Sequence, residues 1–319
     1  MKIDQMLRSI VETVLDPDRP AESLAVGVRS LSELLATAAV TKIDGWHDQL
    51  ETPNGLAISP ESAAGCINDA VRTATFLRGL NAAIEKVLST GHTPVRVLYA
   101  GCGPLAPLAI PLMSVFPPDK AVFQLVDIHE AAIRSVKRLI ETFGLEPTVS
   151  KLEVADAAVM SLDDAPDVIV LEVMRAALEM EAQVAITRNL ARQAPKALIV
   201  PECIVVNLIF LGGLGGTIDA GTALRLDSEN VDRWSNDTGV TIPVSTLRIP
   251  DNCPRNALPM LTTEIRTFGS HVIPYRASGL TTHRALTIEG GFEAGAEIEF
   301  RYHLGEHPHL AARRVMANS

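Results

Sequence analysis

From Val95 to Val200 the chain alternates short apolar runs with amphipathic stretches. "VRVLYAG", "AVFQLVDI", "VSKLEVAD", "PDVIVLE" and "KALIVP" are rich in branched apolar residues and short enough for buried strands. "HEAAIRSVKRLIETFG" carries apolar positions at helical spacing and is closed by Gly144, and "EAQVAITRNLARQ" repeats that period. "PLAPLAIPLM", after the first strand, reads as the start of a helix. Strands alternating with helices of this length predict βαβ units and a largely parallel sheet. Upstream, "SLAVGVRSLSELLATAA" places Leu24, Val28, Leu31 and Leu34 or Leu35 on one helical stripe. "CINDAVRTATFLRGLNAAIEKVL" resumes that period after "ETPNGLAISPESAAG", whose Pro, Gly and Ser content predicts a loop. After Pro201 the helical pattern fades, and "VTIPVSTLRIP", "LTTEIRTF", "HRALTIEGGF" and "AEIEFRYHL" predict an antiparallel barrel or sandwich. The expected organisation is a helical cap over 1–92, an α/β domain over 93–201 and a β-rich region over 202–319, without repeats or low-complexity segments.

The 319 residues suffice for a substantial core, and the charge balance narrows the partners. With 28 basic and 38 acidic residues the formal net charge is −10, which argues against nucleic acid or an anionic membrane. The N-terminal twenty residues lack the pattern of a secretory signal, and Pro201, Glu202 and Asn207 interrupt the longest apolar run. Cys66, Cys102, Cys203 and Cys253 are too dispersed to form a metal or redox pair, so a reducing cytoplasm is the expected compartment. His303, Glu306, His307 and His309 cluster late in the sequence, but Pro308 interrupts them, and no metal is expected. No P-loop, nucleophile elbow or zinc-protease helix is present.

"VLYAGCGPLA" puts Gly101 and Gly103 on the turn after the first strand of the sheet. Glycine lets backbone approach a ligand closely, and a following helix N-terminus offers free N–H groups. Asp127 ends the second strand, where a carboxylate can accept both ribose hydroxyls of an adenosine. Asp156 follows the third strand, within reach of an adenine amino group. The same glycines with a distant acid also satisfy a loose dinucleotide fingerprint, which keeps a nicotinamide oxidoreductase open.

The glycine turn, the two strand-end acids and "DVIVLE" resemble the class I S-adenosylmethionine-dependent methyltransferases. Three more segments resemble the protein arginine methyltransferases. "CINDAVRTATF" is similar to their D-x-V-R-T-x-x-Y helix, with Asp69, Val71, Arg72 and Thr73 in place and Phe76 for tyrosine. "EVMRAALEME" is similar to their double-glutamate loop, and "TTHR" keeps Thr282 and His283 of their T-H-W loop. The resemblance implies a Rossmann-like fold, S-adenosylmethionine as cofactor and a homodimer. It implies that Arg72 meets the methionine carboxylate, Asp127 the ribose and Asp156 the adenine, with Tyr99, Gly101, Gly103, Ile128, Ala157 and Glu172 completing the cofactor site. Tyr99 stands where the motif usually has an acid, Arg284 replaces the tryptophan, and Arg175, Ala176 and Ala177 fall where the family keeps small or aromatic residues.

Two readings compete for the glutamates of "DVIVLEVMRAALEMEA". On a surface helix, Glu172, Arg175 and Glu179 would form a ladder of solvated pairs, with Glu181 on the opposite face from Glu172. In a hairpin, Glu172 and Glu181 would converge and grip a guanidinium or amine, and Glu179 would be a solvated spacer. The expected catalytic residues are Glu172 and Glu181. His283 either carries the proton away or is a hydrogen-bonded barrel histidine.

The function expected from this pattern is methyl transfer to a guanidine or amine of a small, arginine-like amino acid. The alternatives are a cyclase that turns S-adenosylmethionine into azetidine-2-carboxylate and methylthioadenosine, and a catalytically silent binding subunit.

Overall fold

The computed structural model describes residues 3–212, 216–234 and 239–315. Two helices, α1 (Ile3–Leu15) and α2 (Ala21–Ala38), pack as a pair. The segment expected to be a loop contains a small hairpin, β1 (Leu50–Thr52) and β2 (Gly55–Ala57), followed by α3 (Pro60–Gly65). The two-residue link Pro53–Asn54 makes this possible, because the Thr52 hydroxyl donates to the Gly55 carbonyl at 2.7 Å and accepts the Asn54 N–H. Helix α4 (Ala70–Leu88) follows and buries Phe76, Leu77, Leu80 and Ile84.

The central sheet is wholly parallel. Its strands are β3 (Val95–Ala100), β4 (Ala121–Asp127), β5 (Val149–Val154), β6 (Val168–Leu171) and β7 (Leu198–Val200), in the order β5-β4-β3-β6-β7. The order reverses beside β3, which opens a crevice at the carboxyl ends of β3, β4 and β6. Helix α5 (Ile110–Met113) lies between β3 and β4, and α6 (Glu130–Phe143) between β4 and β5. Helix α7 (Gln183–Gln193) lies between β6 and β7. The buried face of α6 carries Ala132, Val136, Leu139, Ile140 and Phe143, and Gly144 ends it in the left-handed region with φ 67.

The helix expected directly after the glycine turn is reduced to the single turn of α5. Pro104, Pro107 and Pro111 lack donors and restrict the residues before them, and Ala106 takes φ 39. The glycine turn therefore does not present a helix N-terminus. It is ordered by other means, described below.

The C-terminal region is β-rich as expected. One sheet comprises β8 (Cys203–Leu211), β9 (Thr217–Asp227), β11 (Leu258–Phe268), β12 (His271–Ile273) and the short β13 (Arg284–Ala285). The other comprises β10 (Thr241–Arg248), β14 (Ile288–Glu289), β15 (Glu297–His303) and β16 (His309–Arg314). Pairing is antiparallel except between β14 and β16. The larger of two apolar clusters among the described residues runs from Leu7 and Phe76 through Phe123 to Phe210 and Phe300. Helix α4 is its hinge piece, touching β3 and β7 on one side and β11 and β12 on the other.

Candidate active site

The site begins at Asp69, the N-cap of α4. Its Oδ1 accepts the Arg72 N–H at 3.0 Å. Its Oδ2 accepts the Ser278 hydroxyl at 2.6 Å and the Gly279 N–H at 2.9 Å. One carboxylate thus starts the helix and ties the segment preceding His283 and Arg284 to it. One turn into α4, the Arg72 guanidinium meets the Glu172 carboxylate. Burial works against the Arg72 charge, but Glu172 holds its pKa above the ordinary value, with Cys66 and Glu181 adding to the effect.

On the sheet edge, Gly101 and Gly103 adopt φ 71 and 62, which favours glycine. The Gly103 N–H donates to Asp127 Oδ2 at 2.8 Å, and the His129 N–H donates to Asp127 Oδ1 at 2.9 Å. Burial pushes the Asp127 carboxyl up, and these two donors oppose the rise. Tyr99 is buried below the turn, and burial together with the Glu172 charge raises its phenol well above the usual value. His129 is 8% exposed, and its Nε2 is buried without a hydrogen-bond partner. The sequence offered one signal for this residue, its place two positions beyond Asp127.

The double-glutamate segment is a hairpin-like loop, not a helix. Ala177, Leu178 and Met180 take φ of 62, 59 and 69, left-handed values that L side chains disfavour. Contacts from distant parts of the chain hold them there. The Ala177 N–H donates to Thr263 Oγ1 on β11 at 2.8 Å, and the Tyr302 hydroxyl on β15 donates to the Leu178 carbonyl at 2.7 Å. The Met180 N–H donates to the Pro308 carbonyl at 2.8 Å, and the Leu56 N–H on β2 donates to the Met180 carbonyl at 2.7 Å. Gly55 makes this docking possible, since a Cβ there would lie 2.8 Å from the Met180 carbonyl oxygen. On the near side of the loop, the Val173 N–H donates to the side-chain carbonyl of buried Gln183 at 3.1 Å.

The turn reverses the chain between Glu172 and Glu181, so both line one cavity. Burial first, and the Glu172 charge second, push the Glu181 carboxyl up to about 7. Burial also raises Glu172, and Arg72 opposes that rise. Glu179 does not line this cavity and has its Oε2 4.0 Å from Arg284 Nε. The helical ladder through Glu172, Arg175 and Glu179 is not formed.

The cavity measures about 550 Å³. Arg72, Tyr99, Gly101, Gly103, Asp127, Ile128, Asp156, Ala157, Glu172 and Glu181 all line it, so every residue expected in the site is there but one. His283 is exposed, hydrogen-bonded through Nδ1 to the Tyr275 hydroxyl at 3.1 Å, and lies outside the cavity wall. Its neighbour Arg284 lines the cavity instead. The β1–β2 hairpin, the link after it and α3 contribute Leu56, Ala57, Ile58 and Pro60 to the cavity wall.

The lining suits S-adenosylmethionine. Each Asp127 oxygen accepts one backbone N–H and keeps a lone pair for a ribose hydroxyl. Asp156 is half-buried and accepts the Ala158 N–H through Oδ1 at 2.9 Å, which fixes its carboxylate beside the crevice. Arg72 has five N–H donors, enough to hold Glu172 and a cofactor carboxylate together. His129 Nε2 adds a buried polar atom without a protein partner. Among the described residues no three His, Cys, Asp or Glu side chains gather as a metal site, and no helix is long and apolar enough to cross a membrane. His303 and His309 stack at 4.8 Å instead.

No protein-family model and no curated protein sequence matches the chain. Among solved structures it is similar to the Trypanosoma brucei PRMT1 enzyme–prozyme heterotetrameric complex with AdoHcy. The match has a TM-score of 0.51 at 13% identity and covers 79% of this chain and 96% of that one. At that identity the likeness is one of fold: N-terminal helices, a Rossmann-like parallel sheet and a C-terminal antiparallel region.

Proposed function

We propose that the protein is an S-adenosylmethionine-dependent N-methyltransferase acting on a guanidine or amine of a small amino-acid-like substrate. The observation that carries this reading is the convergence of Glu172 and Glu181 on the cavity that Asp127, Asp156 and the glycine turn also line. When bound, S-adenosylmethionine supplies an electrophilic methyl group on a sulfonium. The protein's own residues supply what a cationic acceptor lacks. A guanidinium is a poor nucleophile because its lone pairs are delocalised. Two carboxylates draw its positive charge toward themselves and orient one nitrogen. Glu172, braced by Arg72, suits the binding role. Glu181, with a pKa of about 7, suits uptake of the proton that leaves the nitrogen.

The cavity volume, about 550 Å³, lies within the range of roughly 300–1,000 Å³ common for small-molecule sites. Together with the wall built by β1, β2 and α3, it favours a compact acceptor over a long peptide. The test is mass spectrometry of products after incubating the pure protein with S-adenosylmethionine and a panel of amino acids, guanidines and amines. A methylated product from one of them is expected. Methylthioadenosine formed without any acceptor would favour the cyclase instead. Absence of S-adenosylmethionine binding by calorimetry would favour a silent subunit.

A further inference from the structure

At depth the cavity carries Glu172, paired with Arg72, and Glu181, and nearer solvent it carries two further arginines. The side chain of Glu172 is 10% exposed and Glu181 is 8% exposed, whereas Arg175 is exposed and the Arg284 side chain is 38% exposed. All four line the same space. A ligand filling it meets carboxylates at depth and guanidinium groups nearer solvent.

Arg284 is the better placed of the two arginines. Its backbone is pinned by the β13–β11 pairing, opposite Leu261. The segment before it is fastened through Ser278 and Gly279 to Asp69, the residue that also starts the helix of Arg72. Its Nε is buried and makes no hydrogen bond. The Glu179 carboxylate, 4.0 Å away, steadies the charge but is beyond hydrogen-bond reach of that N–H. With Nε enclosed and the side chain 38% exposed along the cavity wall, the part of the guanidinium open to a ligand is its outer fork. The complement of a guanidinium fork is a carboxylate.

We infer that Arg284 binds the carboxylate of the acceptor, which makes that acceptor a free amino acid with a cationic side chain, its cation on Glu172 and Glu181. The inference rests on the methyltransferase reading above and names its substrate class. An amine that lacks the carboxylate, or the same residue inside a polypeptide, leaves the Arg284 guanidinium without that carboxylate.

Matched pairs test this: arginine against agmatine, lysine against cadaverine, and histidine against histamine. Binding to the protein saturated with S-adenosylhomocysteine is measured by calorimetry, and methyl transfer by mass spectrometry. In the wild-type protein at least one amino acid is expected to bind about 10-fold or more tightly than its decarboxylated partner. Arg284→Met is expected to bring that pair within about threefold, and Arg284→Lys, which keeps the charge but not the fork, to fall between. The wild-type ratio needs no variant to fold. An amine that is methylated and bound as tightly as its amino acid overturns the carboxylate assignment while leaving the methyltransferase reading in place. A preference that survives in Arg284→Met does the same. Absence of binding and of product from every pair overturns both.

Discussion

The hydroxyl of Tyr302 donates to the carbonyl of Leu178 at 2.7 Å, across 124 positions of sequence and with both residues fully enclosed. Leu178 is one of three non-glycine residues held with positive φ in the turn that reverses the chain between Glu172 and Glu181. Removing the hydroxyl leaves a buried carbonyl unsatisfied and releases one restraint on a strained turn. Tyr302→Phe is expected to cost about 1–3 kcal/mol of stability in urea unfolding. It should lower kcat while changing affinity for S-adenosylhomocysteine less than threefold. An unchanged kcat would show that the turn keeps its shape without this bond.

Glu181 ties stability and activity to pH with a definite sign. Its folded pKa is about 7 against an ordinary 4.5, so the folded protein holds more protons than the unfolded chain between these values. This contribution therefore falls as pH rises through that window and stays low above it. Glu181→Gln is expected to stabilise the protein at pH 8 relative to pH 4, by roughly 3 kcal/mol at most. Thermal unfolding at the two pH values measures it. The same variant should lower methyl transfer by about 10²-fold or more. In the wild type, kcat/KM should climb with pH and level off near 7.

Arg72 and Glu172 are both largely enclosed, and each is the other's ion partner. Arg72→Ala leaves an uncompensated buried carboxylate and is expected to cost about 3–5 kcal/mol. It should also abolish measurable binding of S-adenosylhomocysteine. Adding Glu172→Gln to Arg72→Ala should recover part of the stability but none of the binding, a coupling that a double-mutant cycle reads directly.

His129 offers a separate handle on the cofactor. Its Nε2 is buried without a partner beside Asp127. His129→Ala is expected to weaken S-adenosylhomocysteine binding by about 3- to 10-fold, the worth of one hydrogen bond, and to leave the melting temperature unlowered. Equal affinity in calorimetry would remove His129 from the cofactor site.

The strands of the parallel sheet follow from local pattern, because buried strands such as "VIVL" carry their own signature, whereas their order does not. Asp127 and Glu172 could be placed at the cavity because each sits at a strand end, and Arg72 through its resemblance to a family helix. The loop from 172 to 182 was not legible in the same way. Its sequence accommodates a helix, and it is turned out of one by partners on β2, β11 and β15 that no local window contains. The β1–β2 hairpin was hidden because Pro53–Asn54 and Gly55 look like any loop until Met180 is placed against them. The proline-rich stretch after Gly103 was misread because its apolar content outweighed the missing donors of Pro104, Pro107 and Pro111.

Asp69 accepts from Arg72 within its own helix and from Ser278 and Gly279, over two hundred positions onward. The parallel sheet is complete within residues 95–200, yet the arginine helix and the glutamate turn are also held by segments from 263 onward. A chain cut after β7 would lose the contacts that shape the turn. The shape of the candidate site is thus set by Ser278, Gly279 and Tyr302, which lie far beyond the parallel sheet in sequence.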